Sequence, residues 1–582
     1  MNTSTPGQAS PQRKQQSSKT SRLASNNKHT TRHTTKPTGI ALKETYYADN
    51  FNYLIDFVAD HYQALLTSEE SNFFRLYKKL SVNAQRLFAR LVLRTPAFLR
   101  VSKIAYTEID VPEALKELAQ SGFIKRDAHA IEHCLPLFTQ QELSAALGTT
   151  GHALPETNST SWNTADLFGD SPASKLFATD SVIEVNFKTT MLTFRLLFFG
   201  NLHQNFSSFV LRDLGYQRFE PYKIDREYHL FKTREQIEAH LTYYECSENY
   251  DNACESGIDA LITLHNALPT PIETDNALCR KLDRLNNKIA RQLERESACD
   301  DAAAIYKKTR LPPARERLAR LYTKSGQTAL ALSLCQQIIQ SPLDSDELDF
   351  ALSFGQKVAA KANQPFPPQE KYHPPESGLT LPKSQLSVEF AVALHLAKTG
   401  KCYYLENNLI SGMFGLAFWD IIFAPLSGAF FHPFQSRPAD FYEPDFVTAR
   451  KELITQRLTD IAEGKLVHLV NHHLYHKRHN QNPLVNWHMC RKHILDLALK
   501  RIPSETWSAL FSCMLTDIRN YRSGQPDLVW FPDQGGYQFI EVKAPGDKIQ
   551  KNQLRWMKLF NQHNVPHLVI NVEWQDSSNE AN

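Results

Sequence analysis

Gly524-Gln525-Pro526-Asp527-Leu528-Val529-Trp530-Phe531, the turn Pro532-Asp533-Gln534-Gly535-Gly536, and Tyr537-Gln538-Phe539-Ile540-Glu541-Val542-Lys543 decide the fold of the C-terminal part of this chain. Two apolar runs flank a Pro/Asp/Gly turn, which predicts a β-hairpin with a loop of about five residues. Glu541 and Lys543 are two apart, and the period of a strand puts them on one face. Asp527 opens the first run, and an antiparallel return brings it beside them. Two carboxylates and a lysine at one end of a sheet suit a divalent cation bound by hard oxygen ligands, with an ammonium to hold attacking water. That chemistry is phosphodiester hydrolysis.

Working outward, Tyr521-Arg522-Ser523 precedes the hairpin, and Lys543-Ala544-Pro545-Gly546-Asp547 and then Gln550-Lys551-Asn552-Gln553-Leu554-Arg555-Trp556 follow it. The Pro-Asp, Glu-x-Lys spacing resembles the PD-(D/E)xK nuclease signature. With its flanks it resembles a VRR-NUC domain, and more closely that of the Fanconi-associated nucleases. The run Trp419-Asp420-Ile421-Ile422-Phe423, continued by Phe434-Gln435 and Asp440-Phe441, is the second most specific match. Asp420 within it reads as a structural, capping or salt-bridged residue.

Composition sets bounds on the rest. The chain has 582 residues, 42% hydrophobic and 22% charged, enough for several ordinary globular domains. A formal charge of +3 requires any DNA footprint to be a local patch. Nine scattered cysteines without a Cys-x-x-Cys argue against a disulfide framework or a Cys-type zinc finger, and fit a reducing cytoplasm. The one membrane-like stretch, 409–431, holds Asp420 and Pro425 and reads as a buried helix ending before that proline.

Residues 1–42 are Ser/Thr/Gln/Lys/Arg-rich and read as a disordered basic tail. From 46 to 147 the apolar spacing is helical: Phe51, Leu54, Phe57 and Val58, then a set from Phe73 to Leu93. Arg86, Arg90, Arg94 and Arg100 fit either a phosphate-binding face or an ordinary amphipathic helix. Short helices at 112–121 and 139–147 resemble the family's small DNA-contacting, SAP-like module. Residues 148–175 read as a linker. Basic and aromatic residues interleave from 181 to 237; most of the rings suit a core, while Arg218 and Lys223 are candidates for DNA contact. Ser297, Ala302 and Tyr306 align with Gly326, Ala331 and Cys335 at an offset of 29, similar to tetratricopeptide (TPR) repeats. A proline-rich stretch at 362–382 is the last boundary. Residues 385–398 then form an amphipathic helix whose apolar face is Leu386, Phe390, Ala393, Leu394 and Ala397, with Glu389 among them.

The expected fold class is therefore multidomain: a mainly α N-terminal and middle part, then an α/β PD-(D/E)xK nuclease domain. Its parts are a tail (1–42), a helical DNA-binding region with the SAP-like module (43–240), a TPR-like region (241–365) and a VRR-NUC domain (383–582). The resemblance implies a metal-dependent, structure-specific DNA endonuclease and 5′-to-3′ exonuclease of the phosphodiesterase I type. It implies branched DNA as the partner, 5′ flaps and interstrand cross-link repair as the context, and a cytoplasmic, bacterial, nucleoid-associated setting without the cysteine-rich finger of longer relatives. It implies one or two Mg²⁺ or Mn²⁺ ions held by Asp527, Glu541, the Val542 carbonyl and an upstream Glu389, with Lys543 catalytic. Gln553 and Trp556 support the site, and Arg519 and Arg522 suit either phosphate contact or plain solvation. His468, His472 and His476 share a helical face but lack an intervening Glu, and no zinc is expected. An inactive DNA-binding adaptor and a sequence-reading restriction-type endonuclease are the alternatives.

Overall fold

The computed structural model describes residues 43–95, 97–126, 131–148, 171–368 and 371–575. The tail at 1–42 and most of the linker expected at 148–175 lie outside them. The N-terminal region opens with helices Tyr46–Tyr62, Ser68–Tyr77 and Val82–Val92. Local signals start them: Thr67 and Glu70 form a reciprocal capping box, and the Ser81 hydroxyl accepts from Ala84 N–H. Phe51, Leu54, Phe73, Tyr77, Leu87 and Phe88 are buried in one core, whereas Leu93 is exposed at the helix end.

Three of the four arginines in this stretch are internal ties. Arg90 pairs with Glu108 at 2.9 Å over the Tyr47 ring, Arg94 bonds the Tyr106 hydroxyl, and Arg100 holds Glu142 and Asp180, each at 2.7 Å. Their acidic partners lie up to 80 residues away in sequence, beyond the reach of a local pattern. A small antiparallel sheet also joins this otherwise helical region: β1 (Phe98–Arg100), β2 (Ile124–Arg126) and β3 (Val182–Val185), with β3 central.

In the middle region, helices Asn276–Arg295, Cys299–Lys308, Ala314–Lys324, Thr328–Gln340 and Ser345–Lys361 pack in succession. The offset of 29 is structural. Ala302, Tyr306, Ala331 and Cys335 are all buried at the packing faces. Ser297 and Gly326 both occupy the left-handed region, at φ 69° and 78°, where each repeat turns into its next helix.

The C-terminal sheet is mixed, ordered β4 (Glu376–Pro382), β8 (His567–Gln575), β7 (Gln538–Lys543), β6 (Leu528–Pro532), β5 (Gly400–Tyr404). β4 lies inside the proline-rich stretch and pairs in parallel with β8, so the sheet begins ahead of residue 383. Prolines are tolerated there because β4 is an edge. β6 and β7 form the hairpin, with Leu528 opposite Ile540 and Gly535 and Gly536 turning at positive φ. One sheet face packs Leu528, Ile540 and Val542 on Val392 and Ala393 of helix Val388–Leu396. The other packs Val529, Phe531 and Phe539 on Trp556 and Phe560 of helix Lys551–Gln562 and on the 409–423 segment.

That segment is two helices, Leu409–Ala417 and Trp419–Ile422, and no helix among the described residues is long and apolar enough to cross a membrane. Asp420 pairs with Arg457 at 2.7 Å. The helix is shorter than the expected 385–398, spanning Val388–Leu396: Ala393 is buried as read, with Val392 beside it, but Phe390 and Leu394 are 52% and 59% exposed, and Leu386, 50% exposed, lies ahead of the helix. Periodicity identified an apolar stripe but not which side of the helix faces the sheet.

Ser297 and Gly326 provide a direct test of the repeat, because nothing lies within 4 Å of a Cβ built at Gly326. Gly326→Ala is expected to destabilise by about 1 kcal/mol, and Ser297→Gly to stabilise by about the same or less, by relief of left-handed strain. Urea unfolding of both variants checks the two signs.

Candidate active site

The loop 524–527 brings Asp527 to the sheet. Gly524, at φ 78°, approaches helix Lys551–Gln562 so closely that an added Cβ would lie 2.7 Å from Asn552 backbone. Gln525 is buried and pinned: its amide nitrogen donates to Ser411 Oγ at 2.7 Å and to the Tyr521 carbonyl at 3.1 Å, and its backbone N–H donates to Asn407 Oδ1 at 3.0 Å. The Asp527 carbonyl accepts from Leu405 N–H at 2.8 Å, and its Oδ2 accepts from Val542 N–H at 2.9 Å. Asp527 therefore touches both neighbouring strands.

Glu541 is 1% exposed. Its Oε1 accepts from Gln553 Nε2 at 2.5 Å and pairs with Lys543 Nζ at 2.9 Å, while Lys543 Nζ also donates to Gln553 Oε1 at 2.9 Å. Gln553 is thus the bridge between carboxylate and ammonium. Trp556, fully buried, donates from Nε1 to the Ser523 carbonyl at 3.2 Å and fixes this helix against the loop. Val542 contributes its N–H to Asp527 and its side chain to the opposite sheet face.

Burial pushes the Asp527 carboxyl up to about 6, against the Val542 N–H bond, and the Glu406 and Glu389 charges add to the rise. Burial pushes Glu541 up to about 8, and the Asp527 charge pushes the same way against the Lys543 ammonium. Glu406 is a carboxylate that the sequence reading passed over. It follows β5 directly, accepts from the Tyr404 hydroxyl at 2.6 Å, and raises both Asp527 and Glu541. The available signal was an apolar run, Cys402 to Leu405, ending in an acid. Glu389 sits half-buried on its helix and acts on Asp527 after Glu406 in strength.

Among the described residues no three His, Cys, Asp or Glu side chains are already gathered into a metal-holding group. The donor set nevertheless fits a hard divalent cation. Glu541 Oε2 is buried without a hydrogen-bond partner, and the Asp527 and Glu406 charges add to the burial that pushes this carboxyl up.

The remaining candidates lie elsewhere. Arg519 bonds Glu443 at 2.9 Å, where Arg280 and Arg284 also converge, and Arg522 lies 4.8 Å over the Tyr442 ring. Arg280 and Arg284 line a cavity of about 1140 Å³ between the helical regions and residues 427–449, whose lining includes none of Asp527, Glu541, Glu406 and Glu389. Arg218 and Lys223 are exposed, and the Arg218 carbonyl accepts from Gln481 N–H at 2.7 Å. His468, His472 and His476 line one exposed face of helix Leu466–His476, whereas His473 is buried with Nδ1 2.7 Å from the Leu416 carbonyl.

Comparison with known proteins matches residues 462–574 to the VRR-NUC domain and residues 45–125 to the "FAN1, HTH domain" family. A Fanconi-associated nuclease 1 homolog of Pseudomonas aeruginosa is 30% identical over 544 residues, spanning 91% of this chain and 96% of that protein. The Arabidopsis thaliana homolog is 24% identical, spanning 89% of this chain and 66% of that one. Crystal structures of paFAN1 bound to 2-nt and 1-nt 5′-flap DNA with a gap superpose with TM-scores of 0.79 and 0.77 at 29% and 28% identity. Each covers 92% of this chain and all of the other.

The raised carboxyls carry a stability consequence. Between the ordinary glutamate range and about 8, the folded chain keeps a proton on Glu541 that the unfolded chain has released, so metal-free stability falls as pH rises through that window. Glu541→Gln is expected to raise the metal-free melting temperature by several degrees at pH 8 and by much less at pH 5. Thermal melts at both pH values, with chelator present, check it.

Proposed function

Because the chain belongs to the Fanconi-associated nuclease family, we propose that it cuts branched DNA at the Asp527–Glu541–Lys543 site. It is a nuclease, and the reading extends this to hydrolysis at 5′ flaps with 5′-to-3′ exonuclease action, in the context of interstrand cross-link repair. The observation that carries the proposal is the buried carboxylate pair, each one residue beyond the Leu528–Ile540 pair on its own strand, with Lys543 and Gln553 on Glu541.

The family generally uses divalent metal, and we assign Mg²⁺ or Mn²⁺, one or two ions. Asp527, Glu541 and Glu406 would hold the ion, with the Val542 carbonyl beside them and Glu389 as an outer carboxylate. When bound, such an ion supplies Lewis acidity at a phosphate oxygen and a lowered pKa for water. Lys543 holds a water near the scissile phosphorus and offsets charge that builds on the phosphoryl oxygens. Gln553 keeps Lys543 and Glu541 at their spacing. Tyr404 orients Glu406 through its hydroxyl.

Residues 43–240 grip DNA, with Arg218 and Lys223 on phosphates; 241–365 space the grip from the sheet; and the C-terminal domain cuts. Nine free cysteines accord with a reducing cytoplasm and action on the nucleoid.

Asp527→Ala or Lys543→Ala is expected to abolish cleavage of end-labelled 5′ flaps while affinity stays within a few-fold, because phosphate contacts elsewhere dominate binding. Near-normal turnover in either variant would remove this hairpin from the chemistry. The two outer acids separate in the same assay: Glu406→Gln should cost more activity than Glu389→Gln, and the reverse order would exchange their roles.

Charge reversal of Arg218 and Lys223 together should flatten the salt dependence of flap binding, since fewer counterions are released. An unchanged slope would return both residues to the solvated surface.

A further inference from the structure

Phe390 and Leu394 lie one turn apart on helix Val388–Leu396, and Leu386 lies just ahead of its Ser387 cap; each is at least half exposed. Among the described residues this is the one place where three exposed large apolar side chains fall within nine residues. Its position gives it meaning. The Phe390 ring lies 5.4 Å from the Tyr404 ring, and the Tyr404 hydroxyl donates to Glu406 at 2.6 Å. Phe390 is therefore one aromatic ring away from the carboxylates assigned to cutting. Lys383 ahead of the helix and Lys398 after it are exposed, one at each end of this stretch of chain.

An apolar ring between lysines, continuous with a phosphodiesterase site, has the chemistry of a single nucleic-acid strand: bases for the ring, phosphates for the ammonium groups. A protein partner seated on Phe390 would cover the approach to Glu406 and compete with substrate. A base still paired in a duplex offers no free π-face, so the occupant is an unpaired one. We propose that Phe390, with Leu394 one helical turn beyond it, is a stacking platform for an unpaired base next to the scissile phosphate, and that it helps select branched or frayed ends over continuous duplex. The proposal rests on the site assignment made above and adds a subsite to it.

The test uses the full chain and a 5′-flap substrate carrying 5-iodouracil at successive positions around the cut, with chelator present so that the strand stays whole. Photocrosslinking at one position should map to Phe390 by mass spectrometry, and Phe390→Ala should lose that crosslink while still binding the flap. With metal restored, Phe390→Ala should cut the flap about tenfold less efficiently, the worth of one base–aromatic stack, and Phe390→Trp should retain activity. An abasic residue at the crosslinked position should slow the parent protein and erase its difference from Phe390→Ala. Leu394→Ser, on the same exposed face, should show a weaker version of the same pattern.

Crosslinks that never fall on the Phe390 peptide would overturn the proposal. So would wild-type cutting by Phe390→Ala, or a dimer of the parent protein that Phe390→Ala dissolves. Asp527→Ala separates this from the site assignment: it should keep the crosslink and lose the cut. Cutting by Asp527→Ala would sink the assignment alone.

Discussion

Two carboxylates, Asp527 and Glu541, are held out of water on adjacent strands with less positive charge than they need. Burying two acids side by side is costly when both are ionised, and Glu541 answers by holding its proton up to about pH 8. The local structure is what permits it. Val542 N–H and the Leu405 amide hold Asp527 from both sides, Gln525 locks the loop to Ser411 and Tyr521, and Gln553 spans Glu541 and Lys543. Trp556 and its neighbours pack the helix that carries Gln553, so the apolar core supplies the stability that the polar centre consumes.

The long helical part of the chain is fastened to that centre rather than tethered near it. The Tyr222 ring stacks on Phe430 at 3.8 Å between centroids, and its hydroxyl donates to the His432 carbonyl at 2.7 Å. Asn480 donates to Glu220 at 2.9 Å, and Lys477 pairs with the same carboxylate. DNA held by the N-terminal region would meet the sheet at a set distance, which suits recognition of shape over sequence.

The hairpin was legible because two apolar runs, a Gly-rich turn and a spacing of two are all local facts. The offset of 29 that aligns Ser297 with Gly326 was legible for the same reason, while the left-handed turns at both came only from the structure. Glu406 was not, because it becomes part of the site only when β5 pairs with β6, with Tyr404 opposite Leu528 across more than a hundred intervening residues. β4 was hidden by prolines that mark a linker in most contexts and an edge strand here. Of the apolar face on helix Val388–Leu396, Ala393 meets the sheet while Phe390 and Leu394 turn outward, since a periodic apolar face says that something covers it, not whether that something is the protein's own sheet.

Arg555 follows Gln553 by two residues, is about 10% exposed, and bonds Asp346 at 2.7 Å and Asp349 at 2.8 Å on helix Ser345–Lys361. Ser345 N–H meets Asp517 at 3.0 Å beside it. The helix that spaces carboxylate from ammonium is thus bolted to the last helix of the repeat. Helices stacked in succession couple each to its neighbour, and this stack ends on the helix that carries Gln553, so under the proposed division of roles a strain imposed at the DNA grip has a mechanical route to the Glu541–Lys543 pair. Boundaries drawn between these regions divide the sequence without dividing the machine.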